Sequence, residues 1–221
     1  MSDLNSVGKR VKGDLNGHSL LVKEYNCFGG NSMKKTLYLV RHGETVNNTK
    51  GITNGMIDSE LTDKGIQQAR LAGKWLKDNK VDFDHVYVSC LGRAQMTCKL
   101  ITDKPFKIER GLRERSFGKY EGQGPEFRKY MWQDLVSLGG AEDVCKVAKR
   151  MDRTLRRIME KQDNNVVLAV SHSAAIRIFT YYHMDEAKAE IPVRIPNCAI
   201  LVYEYEDGKF SLINVIDVEK Q

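Results

Sequence analysis

Thr36-Leu37-Tyr38-Leu39-Val40 runs directly into Arg41-His42-Gly43-Glu44-Thr45. Five largely apolar residues, followed at once by an arginine, a histidine and an acid, read as a buried strand whose carboxyl end carries chemistry. On the amino side, Met33 would serve as a natural start. Residues 1–32 differ from the rest, mixing Gly, Asn, Ser and Lys with Asn-Gly and Gly-Gly pairs and no sustained period. The expected organisation is an appendage over 1–32, either a native extension or an expression leader, followed by one domain over 33–221. A strand over Ser19 to Tyr25 that joins the core is the alternative.

On the carboxyl side, helix and strand signals alternate. Thr62-Asp63 opens a helix with a capping residue and an acid in the first turn, and Ile66, Ala69, Ala72 and Leu76 share one face of it. His85 to Ser89 reads as a strand, Gly92 to Ile101 as a helix and Phe106 to Ile108 as a short strand. Residues 109–124 read as a long charged loop and 126–138 as a helix. After Gly139-Gly140, a helix places Val144, Val147, Ala148, Met151, Leu155, Ile158 and Met159 at helical spacing, and Asn164-Asn165 ends it. Val166 to Val170 is an uninterrupted apolar strand of the kind buried on both faces of a parallel sheet. Ser173 to Tyr182 is helical, and a hairpin through Asp207-Gly208 closes the chain. This alternation predicts an α/β fold, a three-layer sandwich with a mostly parallel central sheet.

Ligands of such sheets bind beyond the carboxyl ends of the strands. Three strand ends carry chemistry: Arg41-His42 after the first, Ser89 leading to Arg93 after the second, and Ser171-His172-Ser173 after the buried strand. Two histidines and two arginines therefore converge on one edge. An arginine fork matches the oxygens of a phosphoryl group and stays charged at any working pH. A histidine between arginines resists protonation and presents a bare nitrogen as a nucleophile.

Composition narrows the partners. The 221 residues carry 35 Lys and Arg against 29 Asp and Glu, a net +6, which suits nucleic acid, an acidic membrane surface or a small anion. No apolar run reaches about 18 residues, and the amino end has no signal-peptide core, so a membrane span is not expected and a cytoplasmic location is. No nucleic-acid motif or aromatic-basic interleaving is present. Five cysteines, an odd number without a C-x-x-C pair, support neither a disulfide framework nor a zinc site. Residues 104–130 hold eight Lys or Arg against four acids and are expected to cap the anion site.

Arg41-His42-Gly43-Glu44-Thr45 resembles the signature of the histidine phosphatase superfamily, also called phosphoglycerate mutase-like. Further segments are similar in the family's order. Ser89-Cys90-Leu91-Gly92-Arg93-Ala94-Gln95-Met96-Thr97 resembles its S-x-L-x-R-A-x-x-T block. Leu112-Arg113-Glu114, followed by Gly118-Lys119-Tyr120-Glu121-Gly122, resembles its L-x-E…G-x-W-E-G block. Asp58 to Gly65, Gly139-Gly140 and Val170-Ser171-His172 also match, so the likeness covers roughly residues 34 to 216.

The resemblance implies a mechanism. His42 would attack the phosphoryl group and become a phosphohistidine that water hydrolyses. Arg41, Arg93 and His172 would hold the phosphoryl oxygens. Glu114 would protonate the leaving oxygen and then activate water, and a bound dianion nearby favours the proton it must first carry. Asn48, Gly55 and Ser173 would contact substrate, Ser173 standing where the family often has glycine. Glu109 and Glu121 flank Glu114, and Asn47-Asn48-Thr49 also reads as a turn. His18, His85 and His183 read as structural.

The family contains phosphatases and cofactor-dependent phosphoglycerate mutases. From Glu114 to His172 is 58 residues, a compact interval, and the tyrosine that mutases place after the acid is absent. A mutase must shield its phosphohistidine from water, so the compact interval predicts hydrolysis. The expected function is a phosphatase of small anionic phosphate monoesters, with no metal and no cofactor. A cofactor-dependent phosphoglycerate mutase is the alternative, and a non-catalytic binding module on the same fold is a third reading. The implied partner is the substrate, without nucleic acid or membrane, and a homodimer is left open.

Overall fold

Val167, Leu168, Ala169 and Val170 are all fully buried, because β4 (Val166–Ser171) runs through the middle of a sheet covered on both faces. The computed structural model describes residues 34–129, 132–192 and 194–221, so the readings made for residues 1–32 lie outside the described residues. The other strands are β1 (Lys35–Arg41), β2 (His85–Val88), β3 (Phe106–Ile108), β5 (Ile200–Glu206) and β6 (Lys209–Ile216). Their order is β3-β2-β4-β1-β5-β6. β3, β2, β4 and β1 are parallel, and β5 runs antiparallel to both of its neighbours.

Alternation along the strands divides the core into two layers. On one face, Val40, Val86, Val88, Leu168 and Val170 pack with Ala69, Ala72 and Leu76 of α2 (Asp63–Asp78) and Ala94, Cys98 and Ile101 of α3 (Gly92–Ile101). On the other, Leu37, Leu39, Tyr87, Val167 and Ala169 meet Val147, Met151, Leu155 and Ile158 of α5 (Val144–Met159). Ile176 and Phe179 of α6 (Ser173–Tyr182) complete that layer. The three-layer sandwich read from the sequence is therefore present. Asp143 caps α5 by accepting from the Lys146 N–H. The helix stops at Met159 rather than at Asn164-Asn165. Asn164 instead folds back, and its buried Nδ2 donates to the Ile158 carbonyl and the Tyr87 hydroxyl. The stretch expected as one helix over 126–138 divides into a 3-10 turn (Pro125–Lys129) and α4 (Trp132–Gly139). Asp207 and Gly208 both take left-handed backbone angles, as the two-residue turn between β5 and β6 requires.

Two glycines let the motif loop touch α2. A Cβ on Gly65, in the first turn of α2, would lie 2.1 Å from the Glu44 carbonyl oxygen, and one on Gly43 would lie 2.5 Å from the Gly65 oxygen. Thr62 serves both sides: its hydroxyl caps α2 by accepting from the Gly65 N–H and donates to Glu44 Oε1. A Gly→Ala change inside a helix ordinarily stabilises. Gly65→Ala is expected to do the opposite, costing about 1–3 kcal/mol through overpacking against backbone, read as a lower urea midpoint. A midpoint equal to wild type or higher would refute the interlock.

Candidate active site

Strand register brings the loaded ends together. Arg41 pairs with Ser171 across β1 and β4, so His42 and His172 leave adjacent strands side by side. Their ring centroids are 5.2 Å apart. Val88 pairs with Val170 across β2 and β4, which sets Ser89 beside His172. The topology thus supplies what the motifs only implied, a common edge.

His42 is 3% exposed, and its Nδ1 lies 2.7 Å from the Gly43 carbonyl oxygen. A carbonyl only accepts, so Nδ1 carries the proton and Nε2 keeps its lone pair. That lone pair accepts from Arg93 Nε at 3.3 Å. Burial, then the charges of Arg93 and Arg41, hold the His42 pKa well below the ordinary 6.5. His172 is held well below 6.5 as well, by burial and then by Arg93, His42 and Arg41. Its Nε2 is 2.7 Å from Ser89 Oγ, which itself accepts from the Leu91 N–H. A hydroxyl gives one proton and accepts two, so this contact holds the His172 ring in either tautomer. The buried His172 Nδ1 and the buried Nε of Arg41 have no hydrogen-bond partner among the described residues. Buried polar atoms without partners are costly unless a ligand supplies one.

The two arginines are fixed differently. Arg41 donates from Nη1 to the Ile195 carbonyl at 2.6 Å. Burial lowers its pKa to about 10 against the raising effect of Glu114, with Arg194 adding to the lowering. Arg93 donates to the carbonyls of Gly55 and Ile57, both at 2.9 Å, and to Asp58 Oδ1 at 3.2 Å. Asp58 also accepts from the backbone N–H groups of Gly92 and Arg93, where α3 begins.

Three acids compete for one role in the sequence, and the contacts separate them. Glu109 pairs with Arg157. Glu121 Oε1 accepts from Ser116 Oγ and the Phe117 N–H, stiffening its own loop. Glu114 is the acid at the cavity, 7% exposed. Its Oε1 accepts from the N–H groups of Arg115 and Ala175, and its Oε2 from that of Ala174, at the amino end of α6.

These side chains border a cavity of about 480 Å³. Arg41, His42, Asn48, Gly55, Arg93, Glu114 and Ser173 all line it, and His172 is fully buried beside His42. Asn48, in the short helix α1 (Val46–Thr49), commits its Oδ1 to the Thr45 N–H and to Asn197 Nδ2, so donation to a ligand falls to its Nδ2. Gly55 turns at φ +53° and spends its carbonyl on Arg93. The positive cap expected from 104–130 is not seen among its described side chains. No described lysine or arginine side chain of that stretch lines the cavity; Arg113 is drawn to Glu142 and Lys104 to Asp82 instead. The cavity's other cations are Arg177 and Arg194; sequence reasoning missed Arg177 and the wall formed by 51–54. Arg177 stands four residues past Ser173 on one helix face, a spacing that carried the signal. His85 and His183 pair with Asp163 and Asp152, the structural roles read for them. Among the described residues, no three His, Cys, Asp or Glu side chains gather into a metal-binding group, and no helix is long and apolar enough to cross a membrane.

The loop bearing Glu114 is clamped from α5. Arg150 donates to the carbonyls of Gly111, Arg113 and Glu114 and forms a two-pronged pair with Glu142. Glu142 is held below the ordinary carboxylate range by Arg150 and Arg113, which outweigh its burial. Arg150→Ala leaves Glu142 to Arg113 alone and removes the donor from three carbonyls, so it is expected to cost about 2–3 kcal/mol, measured by urea denaturation. A loss under about 1 kcal/mol would show that the clamp is not a structural element.

The model of the histidine phosphatase superfamily (branch 1) matches residues 37–218. The chain belongs to this family. A 2,3-bisphosphoglycerate-dependent phosphoglycerate mutase of Methylobacterium radiotolerans is 30% identical over 193 residues, 77% of this chain and 90% of the relative. Among solved structures, a phosphoglycerate mutase from Bacillus anthracis superposes with a TM-score of 0.72 at 26% identity, covering 85% of this chain and 95% of the other. A phosphoserine phosphatase from Entamoeba histolytica superposes with a TM-score of 0.68 at 28% identity, covering 82% and 96%. Histidine phosphatase relatives thus include both mutases and phosphatases, and the likeness spans the described sheet and both helical layers.

Proposed function

We propose that this histidine phosphatase family member hydrolyses small phosphate monoesters through a phosphohistidine on His42, without a metal or cofactor. The observation that carries the reading is the unprotonated His42 Nε2, held by Gly43 and Arg93 beside two buried polar atoms without a partner among the described residues, the Arg41 Nε donor and His172 Nδ1. Phosphoryl oxygens would satisfy the Arg41 donor, and His172 with its proton on Nδ1, as Arg93 Nε releases Nε2 and Nε2 forms its bond to phosphorus. The bond from phosphorus to the leaving oxygen then breaks, and that oxygen takes a proton from Glu114. Oε2, with one N–H bond against two on Oε1, has room for that proton. In the second half, water bonds to phosphorus, gives its proton back to Glu114 and releases His42. Asn48 Nδ2 and Ser173 would contact the ester, and Gly55 would act through Arg93.

Hydrolysis rather than transfer is supported by the short interval between Glu114 and His172. Of its described side chains, Phe117, Phe127 and Leu135 reach the cavity wall before α6 begins. The mutase names of relatives favour the second reading, a phosphoglycerate mutase. One assay separates them. With 3-phosphoglycerate, phosphate release is expected to exceed isomerisation at least about ten-fold, with or without bisphosphoglycerate. Isomerisation outrunning phosphate release would reverse the assignment.

A further inference from the structure

The cavity holds more positive charge than a phosphoryl group needs. Four arginines line it, against Glu114 alone among the acids, and both Glu114 oxygens already accept backbone N–H groups. Arg41, Arg93 and the two histidines account for one phosphoryl group. Arg194 remains. It makes no hydrogen bond or ion pair with any described residue, and its side chain borders the same cavity. Its backbone is held in place from the site itself. Arg41 grips the carbonyl of Ile195, the next residue; Asn197 Nδ2 donates to the His42 carbonyl; and the Cys198 N–H donates to the Arg41 carbonyl. The guanidinium therefore extends from a fixed stem, close enough that its charge disfavours the charge on Arg41. A cavity of about 480 Å³ also has room for a leaving group larger than a simple alcohol.

We propose that Arg194 is the specificity-determining residue of this cavity and takes a second anionic group on the substrate, a carboxylate or a further phosphoryl group carried by the leaving alcohol. The inference rests on the proposed phosphoryl site and names the substrate class for it. An exposed guanidinium with no partner among the described residues keeps its fork available for such an oxyanion and loses little by turning to it. An ordinary solvated surface arginine is the competing account, and it predicts no discrimination between esters.

Binding separates the two accounts without requiring turnover. Calorimetry on the full-length His42→Ala protein would compare 3-phosphoglycerate with glycerol 3-phosphate, and fructose 1,6-bisphosphate with fructose 6-phosphate. At least one doubly anionic ester should bind about ten-fold or more tightly than its partner. Adding Arg194→Ala should bring that ratio to within about three-fold, while Arg194→Lys keeps part of it. A preference in the first pair alone assigns a carboxylate, and in the second alone a phosphoryl group. Equal affinities within both pairs, or equal weakening of both members by Arg194→Ala, would overturn the inference. So would a failure of all four esters to bind. Phosphate release by the wild-type protein reports the phosphatase reading separately, so binding preference without hydrolysis would overturn that reading and leave Arg194 in its role.

Discussion

His42→Ala is expected to lower phosphate release from an aryl phosphate by about four orders of magnitude or more, because removal of a nucleophile leaves only binding and oriented charge to act. The effect should fall on kcat. In the proposed mechanism Arg41, Arg93 and His172 hold the substrate, so KM should change far less than turnover. Wild-type protein quenched during turnover should carry an acid-labile, base-stable phosphoryl group, and His42→Ala should carry none. Urea midpoints of the two proteins would show that the variant folds. Turnover by His42→Ala within about ten-fold of wild type would eliminate the mechanism, and so would a wild-type rate abolished by a chelator.

Acid should destabilise the fold through the same residue. His42 and His172 are buried neutral, with folded pKa values well below the 6.5 of an exposed ring. The unfolded chain therefore binds protons at these rings below pH 6.5 while the native protein does not. Stability rises with pH wherever the unfolded state binds more protons, so acidification through 6.5 removes stability. Each ring contributes up to about 1.4 kcal/mol per pH unit between 6.5 and its folded value, and the two together about 2.7. Urea midpoints at pH 7.5, 6.5 and 5.5 should fall steeply at the acid end, and the slope for His42→Ala should be about half as steep. Identical slopes for the two proteins would mean that His42 is not kept neutral by its surroundings. Over the same range the bare Nε2 persists, so activity should outlast the ordinary titration of histidine until the fold gives way.

Much of the site was legible because it is written at strand ends. Arg41-His42, Ser89 and Ser171-His172 each follow a strand by a residue or less, and a strand end is a local property of sequence. The capped start of α2 at Thr62 was local too. The described cations of 104–130 stay away from the cavity for the opposite reason. Arg113 and Lys104 have their acids 29 and 22 residues away, and a net charge counted along the chain cannot see partners that folding supplies. The clamp from Arg150 to the Glu114 loop spans 36 residues or more. Arg194 reaches the cavity only because the segment before β5 crosses back over the end of β1. Which of three acids faces the cavity was equally a question of tertiary contacts, settled by what Glu109 and Glu121 do elsewhere. Strand order, and hence the meeting of His42 with His172, depends on pairings more than 100 residues apart in sequence.

The manner in which Arg93 is held bears on time. Its guanidinium touches Gly55, Ile57, Asp58 and His42 at once. A long side chain in solution samples many rotamers, and a site that must wait for one of them to recur imposes that delay on every encounter. Here the search is already over before a ligand arrives. Arg93 therefore adds no such delay to an encounter, whose pace is left to diffusion and to the field at the cavity mouth.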